Sequence, residues 1–473
     1  METEEPQPLS PAARLFKQPL FNCSILCMLG LGKKVTDIEA VMAGLERTMA
    51  RHPRFSSIVK EDSSGKQQWV RTNVVMEDHI ITQPFDEDQE ANGADLIDQY
   101  ITKLSTTPLD MSKPLWELHI LNLKTDEAEA TAIFRIHHSL GDGISLMSLL
   151  MACTRKTSDP DSLPSVPQRK EKPLENRSGL LSILSRIWVI FLTIWYTLMD
   201  LLLFIPNTLF LKDTDTPIKG LPGVEKSPKK VVHLTLSLDD MKKMKYHVNG
   251  TLNDVMLGIT SAGLVKYLAR RYELSKENHN GKTEKPSFPQ NIHIRSSLLV
   301  NLRSAPGLHE LAEMMKDKSK KARWGNRMGY LVFKMPMLRH TDPLEYFREA
   351  KAIIDRKKMS FEPFITYFIG KLVVRLFGIK SAARMMHTAL SNTTFSFSNV
   401  MGPTEEVEFL GLPIVFIAPT VYGHPHALTI HYQSYTNKVK LVICVAEETI
   451  PDPFNLCQDI ADALKLMISA VKD

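Results

Sequence analysis

The sequence predicts a mixed α/β protein with two lobes and one long apolar helix between them. The chain has 473 residues, which exceeds an ordinary single domain and suits two domains of about 200 residues each. Strand-like and helix-like patterns occur in both halves, and a segment with almost no charge separates them. Hydrophobic residues make up 43 % of the chain and charged residues 23 %, a globular composition that excludes wholesale disorder.

Composition and pattern place the lobe boundaries. Residues 155–178 are rich in proline, serine, lysine and glutamate, which is typical of a linker. An alternating apolar strand at 231–238 opens the second half. We therefore expect an N-terminal lobe over 1–165, a linker carrying the apolar helix over 166–228, and a C-terminal lobe over 229–473.

Three elements are predicted early in the N-terminal lobe. A helix at 36–51 has Thr36 as its N-cap and apolar residues at three- and four-residue spacing. A second helix lies near 94–104. A proline-marked turn then leads into a strand at 116–122, where a tryptophan supplies a large core side chain.

The N-terminal lobe is organised around residues 134–143, which read Phe-Arg-Ile-His-His-Ser-Leu-Gly-Asp-Gly. Alternation along a strand at 131–138 would place His138 at the end of an apolar face and His137 on the opposite face. A histidine in that position is partly desolvated, so its pKa is sensitive to its neighbours. Two glycines allow a sharp turn around Asp142, and an apolar helix is predicted to follow.

This stretch also has a purely structural interpretation. Asp142 would then be the N-cap of the following helix, and His137 and His138 would be ordinary residues at the end of a strand. For a single histidine near a single aspartate that interpretation would be favoured, because capping residues are common at helix starts. The residues alone leave both interpretations open.

The segment 180–211 has the most unusual composition in the chain, because it contains two charged residues. A helix at 187–210 would be about 36 Å long, enough to span a bilayer. Five of its polar residues nevertheless fall within about 40° of the Arg186 direction around the helix, which suits a helix in the membrane interface or one packed on its own protein. Length favours membrane contact, and a buried core helix is the alternative. These five residues are Ser182, Arg186, Thr193, Thr197 and Asp200.

The C-terminal lobe is predicted to mix helices and strands. An apolar helix runs through Leu268, with Asn253 and Asp254 at its start as a cap and a first-turn acid, unless they have a functional role. A strand is predicted at 292–302. Further helices are predicted at 342–358, at 361–379 and from about 454, and further strands at 393–398, 414–417, 428–432 and 439–446.

Composition and motifs exclude several classes of function. The net charge of +5 is mild and no basic run is interleaved with aromatic residues, so we expect no nucleic-acid partner. The five cysteines are scattered without metal-binding spacing, so neither a zinc site nor a disulfide framework is expected. The acidic, proline-rich N-terminus is unlike a secretory signal, so the catalytic part should face the cytosol. P-loop, GxGxxG, HExxH and GxSxG motifs do not occur.

The string from His137 to Gly143 resembles the HHxxxDG signature of the coenzyme-A-dependent acyltransferase superfamily, which includes peptide-synthetase condensation domains. Further stretches resemble one branch, the wax ester synthase/diacylglycerol acyltransferase family, and its plant members in particular. They occur in the expected order over nearly the whole chain, which makes the set far more specific than one motif. Met401 departs from the family, which more often has proline there. The stretches are 8–11, 114–116, 253–255, 300–303, 325–327, 398–403 and 451–453.

The resemblance implies a fold and roles for the central residues. The fold would be two lobes like chloramphenicol acetyltransferase that meet at a tunnel, with His138 midway along it. His138 would be the general base, while Asp142 and Gly143 would hold the local structure. His137 would support the loop or line the channel, or be an ordinary structural histidine.

Three further site residues are candidates. Asn253 and Asn399 are candidate donors to the oxyanion of the tetrahedral intermediate. Arg303 is the candidate ion-pair partner of Asp142.

The resemblance also implies an O-acyltransferase that moves a long acyl chain from acyl-coenzyme A to a fatty alcohol or to diacylglycerol. Acyl-coenzyme A would be a cosubstrate, with no bound cofactor and no metal. Membrane lipid would be a partner, at the endoplasmic reticulum and secondarily at the plasma membrane. The alternatives are an enzyme of the same fold with another alcohol acceptor or a carrier-protein donor, a non-catalytic lipid-binding protein, and a membrane anchor for partners.

Overall fold

Two mixed β-sheets flanked by helices form the framework of the molecule. The computed structural model describes residues 6–85, 92–165, 180–277, 288–289, 291–302, 307–317, 320 and 322–472. The strands are β1 Gln7–Pro8, β2 Ser24–Leu31, β3 Ser57–Glu61, β4 Gln67–Arg71, β5 Ile80–Thr82, β6 Trp116–Leu121, β7 Ala130–His137, β8 Arg155–Lys156, β9 Lys229–Ser237, β10 Arg295–Asn301, β11 Met328–Lys334, β12 Phe395–Met401, β13 Val407–Phe409, β14 Leu412–Tyr422, β15 Leu428–Tyr435 and β16 Lys438–Ala446. The α-helices are α1 Pro11–Phe16, α2 Ile38–Arg47, α3 Gly93–Thr106, α4 Gly143–Cys153, α5 Leu180–Ile205, α6 Leu238–His247, α7 Leu252–Glu277, α8 Leu308–Lys316, α9 Pro343–Lys358, α10 Glu362–Ser391 and α11 Pro453–Lys472.

The first large sheet positions the central motif. Its strand order is β5-β6-β7-β2-β14-β13-β8, so β7 is an interior strand that pairs antiparallel with both β6 and β2. All eight residues of β7 are buried, and Phe134 and Ile136 lie in one hydrophobic cluster while Ile133 lies in another. The predicted strand and its alternation are therefore confirmed, and the two histidines stand at its carboxyl end.

The two halves of the chain share this first sheet. Strands β13 and β14, from the C-terminal half, pair with β8 and β2 of the N-terminal half. Residues 407–422 thus complete a sheet begun some 400 positions earlier in the sequence. The lobe boundaries at 165 and 229 remain a prediction. Because β13 and β14 cross over to pair with strands of the N-terminal half, the two halves are joined through one continuous sheet.

The second large sheet has the strand order β11-β10-β12-β15-β16-β9. One face forms the largest hydrophobic cluster with α7, α9 and α11, and Phe395, Phe397, Ile430 and Tyr432 point into it. Alternation turns the side chain of His431 to the other face of the sheet. The polar side chains of β15 therefore lie on the face opposite the helical layer.

Several element boundaries differ from the predicted ones. The N-cap of α2 is Asp37 rather than Thr36, because the Asp37 carboxylate accepts the Ala40 N–H at 2.8 Å. The predicted linker at 155–178 begins with β8, whose pairing with β13 depends on a strand far away in sequence. Helix α7 continues beyond Leu268, and helix α10 continues to Ser391 through a break at Gly378, where φ is 78°.

Other predicted elements are placed as expected. The strands at 116–122 and 231–238 and the helices at 94–104 and 342–358 agree with β6, β9, α3 and α9 to within a few residues. Several elements were not predicted, among them β2 to β5, β11, β13 and the helices α6 and α8. The sequence also predicts a polar loop at 276–289, of which residues 278–287 lie outside the described residues.

The long apolar helix is α5, which begins at Leu180, as expected from an apolar segment predicted at about 180–210, and ends before Pro206. The apolar stretch Ile183–Phe210 is long enough and apolar enough to cross a membrane by length and composition, with 11 % of its most apolar window buried. Thr197 and Asp200, from the predicted polar stripe, are buried against the body of the protein. The packed interpretation of the stripe is thus confirmed for this end of the helix.

Candidate active site

His138 occupies the first position after β7 and is 6 % exposed. Its backbone N–H donates to the carbonyl of Cys23 at 3.0 Å, which ties it to the residue before β2. The ring of Phe16, the last residue of α1, stacks on the imidazole with centroids 4.1 Å apart and planes 20° apart. The imidazole is therefore held by packing in a nearly dry position at the end of a central strand.

The electrostatic setting of His138 favours the neutral imidazole at pH 7. Burial lowers its pKa from the ordinary value, while its own backbone carbonyl and the charge of Asp142 oppose that shift. Within the described part of the chain, Nδ1 is buried and accepts or donates no hydrogen bond to another residue. A neutral, partly desolvated imidazole can accept a proton from a bound hydroxyl group.

The lowered pKa predicts the pH dependence of kcat. A general base works when unprotonated, so kcat should be on its plateau at pH 7, and the midpoint of its acid decline should lie below about pH 6.5, the ordinary pKa of histidine. The measurement is kcat between pH 5 and 8. Melting temperatures at each pH serve as the control, since buried neutral histidines also make the free energy of unfolding fall as pH drops below about 6.5. A midpoint at or above the ordinary value would contradict the burial argument.

His137 is turned away from His138 and has partners of its own. Its Nδ1 lies 2.7 Å from the Ser139 hydroxyl and its Nε2 lies 2.8 Å from the Asn22 side-chain oxygen. Burial, followed by the nearby charge of Lys17, lowers the pKa of His137 to about 3. Both nitrogens are thus engaged in holding the loop, which supports the structural role among those predicted for this residue.

Asp142 caps helix α4. Its Oδ1 accepts the backbone N–H of Ser145 at 2.9 Å and the Ser145 hydroxyl at 2.7 Å, and the carboxylate is 2 % exposed. Gly143 is the first residue of α4, and a Cβ added there would lie 3.8 Å from Val400. The residue proposed to pair with Asp142, Arg303, lies outside the described residues. Asp142 therefore fixes the start of α4 four residues after His138.

The C-terminal half holds the central loop from the other side. The indole N–H of Trp324 donates to the Leu140 carbonyl at 2.6 Å, and the Asn326 amide donates to the His138 carbonyl at 3.0 Å. Trp324 also lies so close to Gly141 that a Cβ there would approach its ring to 2.9 Å. These contacts make the backbone around His138 part of the interface between the two halves.

Trp324 and Asn326 have no predicted role from the sequence. The resemblance of residues 325–327 to the family is the one sequence signal here, and nothing in the local sequence indicates that they contact residues 138–141. The two segments are nearly 190 positions apart in the chain, so the contact is evident only from the structure.

Asn253 and Asn399, the predicted oxyanion donors, lie together elsewhere. The Asn399 amide donates to the Asn253 side-chain oxygen at 2.7 Å, between β12 and the start of α7. Alternation along β12 puts Asn399 on the opposite face from Val400, the residue next to Gly143. The described contacts do not bring either asparagine to His138, and their role as oxyanion donors stays a prediction.

Buried imidazoles of the second sheet lie near His138. Burial lowers the pKa of His431 to about 4, with His138 as the second cause, and lowers the pKa of His424 well below its ordinary value, with His431 and His138 among the further causes. His426 is held by the Thr393 hydroxyl and the Leu390 carbonyl, each 2.9 Å from its Nε2. The sequence signal for this polar face was alternation in β15, where Thr429, His431 and Gln433 interrupt apolar neighbours.

A metal site is not formed by the residues described here. Among them, no three histidine, cysteine, aspartate or glutamate side chains are grouped so as to hold a metal ion. The five cysteines, all among the described residues, are free.

Comparison with known proteins identifies similar sequences over the whole chain. Residues 22–256 match the model of the wax ester synthase/diacylglycerol acyltransferase catalytic domain, and residues 324–468 match that of the WS/DGAT C-terminal domain. Wax ester synthase/diacylglycerol acyltransferase 6 of Arabidopsis thaliana is 46 % identical over 100 % of this chain and 95 % of its own length. Wax ester synthase/diacylglycerol acyltransferase 4 of the same plant is 47 % identical over 99 % of this chain and 91 % of its own length.

Solved structures share the fold at low sequence identity. A wax ester synthase/diacylglycerol acyltransferase from Marinobacter aquaeolei VT8 superposes with a TM-score of 0.61 at 14 % identity, covering 99 % of this chain and 100 % of that one. A trichothecene 15-O-acetyltransferase from Fusarium sporotrichioides gives 0.59 at 14 % identity over 98 % and 94 % of the two chains. A condensation domain of the calcium-dependent antibiotic synthetase gives 0.60 at 11 % identity over 100 % and 97 %. The predicted mixed α/β acyltransferase fold is confirmed.

Proposed function

The chain belongs to the wax ester synthase/diacylglycerol acyltransferase family and is an acyltransferase, and from that premise we propose how it works. It transfers a long acyl chain from acyl-coenzyme A to the hydroxyl group of a fatty alcohol or of diacylglycerol, with His138 as the general base. The observation that carries this proposal is the buried imidazole of His138, stacked under Phe16 in a loop held by both halves of the chain. The proposed reaction uses neither a bound cofactor nor a metal ion.

The reaction needs one proton acceptor that later becomes a donor. Neutral His138 takes the proton of the acceptor hydroxyl as its oxygen attacks the thioester carbonyl. The tetrahedral intermediate then collapses, the carbon–sulfur bond breaks, and His138 returns the proton to the departing thiolate. The products are an ester and free coenzyme A, with no net change in protons or electrons.

We assign the resting proton of His138 to Nδ1. Nδ1 is buried without a hydrogen-bond partner among the described residues, so a bound hydroxyl group does not reach it. Nε2 is then the basic nitrogen. The Phe16 ring prevents the imidazole from turning out of this orientation, since a buried, stacked ring has few alternative rotamers.

The proposed acceptors are lipids, so the enzyme has to work at a membrane. The relatives' names cover wax ester and diacylglycerol acyl transfer, and α5 presents a long apolar surface. Fatty alcohols and diacylglycerol dissolve in bilayers rather than in water. We therefore place the enzyme at the endoplasmic reticulum membrane, with the plasma membrane as a second location and the catalytic part in the cytosol.

Product analysis with the purified full chain tests the acceptor class. Palmitoyl-coenzyme A is supplied with hexadecanol, with 1,2-diacylglycerol, or with both in competition, and the lipid products are separated. We expect wax ester, triacylglycerol or both, formed only when an acceptor is present. Release of free palmitate without ester would show a thioesterase and contradict the proposal.

A further inference from the structure

The N-terminal part of α5 is exposed to solvent. Every described side chain from Ile183 to Ile190 is exposed, including Trp188, which is 59 % exposed. Trp195 further along is 51 % exposed. Six of the eight side chains from Ile183 to Ile190 are apolar, and a helix that exposes so much apolar surface is stabilised by an apolar environment.

The C-terminal part of α5 is fixed to the body of the protein. The Asp200 carboxylate accepts hydrogen bonds from Arg356 at 2.7 Å and from Lys357 at 3.1 Å, both in α9. The Thr197 hydroxyl accepts the backbone N–H of Phe361 at 3.0 Å. The mostly exposed stretch before these contacts, residues 183–195, is called the exposed part of α5 below. It is about 20 Å long, shorter than the ~30 Å hydrocarbon core of a bilayer.

A second apolar surface lies on α10, which contacts α5. Five large side chains recur at intervals of three or four residues at its start, so they share one face of the helix. They are between 47 % and 63 % exposed, and the stripe stops at Gly378, where the helix breaks. Exposed basic residues, Lys371, Arg375 and Lys380, lie along the same helix. The stripe, called the α10 stripe below, consists of Phe361, Phe364, Phe368, Leu372 and Leu376.

We propose that the exposed part of α5 and the α10 stripe together form a monotopic docking surface for a lipid bilayer. The exposed part of α5 enters one leaflet, and the α10 stripe lies at the boundary between head groups and acyl chains. The exposed basic residues of α10 suit anionic head groups. A second copy of the chain would cover a flat face, but it would leave most of a projecting apolar rod in water.

The docking surface leads to His138 through one hydrophobic cluster. Beyond Gly378, Ala389 and Leu390 of α10 are buried and pack with Phe16, the residue stacked on His138. Phe204 of α5 packs against the same cluster. A lipid acceptor would thus reach the imidazole from the side of the protein that faces the bilayer. This route rests on the proposed function, and it accounts for the short path between the docking surface and His138.

Vesicle flotation of the full chain tests the docking surface without requiring turnover. The test variant replaces Phe364, Phe368 and Leu372 by serine, and the vesicles contain phosphatidylcholine and phosphatidylserine. The matched control replaces Leu274, Phe454 and Leu466 by serine, because these side chains are 47–55 % exposed on other helices. We expect about a tenfold or larger loss of partitioning for the test variant and none for the control.

Other outcomes would overturn the docking surface. Wild-type partitioning of the test variant would mean that α5 alone holds the protein, as a span would. An equal loss in the control would remove any special role of the stripe. If the wild type were a dimer in detergent and the test variant a monomer, with vesicle binding unchanged, the stripe would be the interface with a second copy of the chain. Because flotation is scored without acyl transfer, an inactive protein that still floats would contradict the proposed function and leave the docking surface supported.

Discussion

Replacing His138 with alanine is expected to lower kcat for acyl transfer by about 10²–10⁴-fold, the usual contribution of a general base. The alcohol has a pKa near that of water, so without the imidazole it attacks the thioester as a poor nucleophile. The KM for palmitoyl-coenzyme A should change little, since the proposed role of His138 lies in proton transfer rather than in binding. Initial rates at saturating acyl-coenzyme A and hexadecanol give the kcat ratio.

Two variants separate lost chemistry from lost structure. His138→Gln keeps a polar side chain of similar size under Phe16 and should be as inactive as the alanine variant. His137→Gln disturbs a ring whose two nitrogens are held by Asn22 and Ser139, so we expect a lower melting temperature and a much smaller loss of kcat. If His137→Gln removed activity and His138→Gln kept it, the roles of the two histidines would be reversed.

Asp142→Ala is expected to destabilise the protein and to reduce activity together. The substitution removes an N-cap, which costs about 1–2 kcal/mol, and it leaves the Ser145 N–H and hydroxyl without the carboxylate they donate to. The start of α4 would shift, and the His138 loop with it. The free energy of unfolding from denaturant titration and kcat at a temperature where the variant is folded check both effects.

Asp142→Asn distinguishes capping from charge. Asparagine caps helices as well as aspartate does, so most of the stability should return. The charge of Asp142 raises the pKa of His138, so its removal should shift the acid limb of kcat to lower pH. An asparagine variant as unstable as the alanine variant would show that capping is not what Asp142 contributes.

Local sequence was enough to predict the position of His138. Alternation in β7 and the glycine turn after it are short-range properties, and the structure keeps both. The apolar helix α5 was also evident from composition. What composition could not show was the partner of Asp200, because Arg356 and Lys357 lie more than 150 positions later in an ordinary charged helix.

The rest of the site depends on long-range pairing. Trp324 and Asn326, from the C-terminal half, contact the His138 loop of the N-terminal half, and no periodic pattern in the sequence predicts that contact. The pairing of β13 and β14 with the first sheet is likewise a long-range contact that local patterns do not predict. Asn253 and Asn399, the predicted oxyanion donors, hydrogen-bond each other, and Asn399 lies on the face of β12 opposite Val400. That pairing joins residues 146 positions apart, so local sequence could not show it.

The most direct measurement follows thiol release and ester formation in one sample, using purified wild type and His138→Gln with labelled palmitoyl-coenzyme A and a lipid acceptor. Wild type should release one thiol for each ester formed, and both should require the acceptor. His138→Gln, with an unchanged melting temperature, should form ester at about one hundredth of that rate or less. Ester formation by His138→Gln at the wild-type rate would contradict the assignment of His138 as the general base.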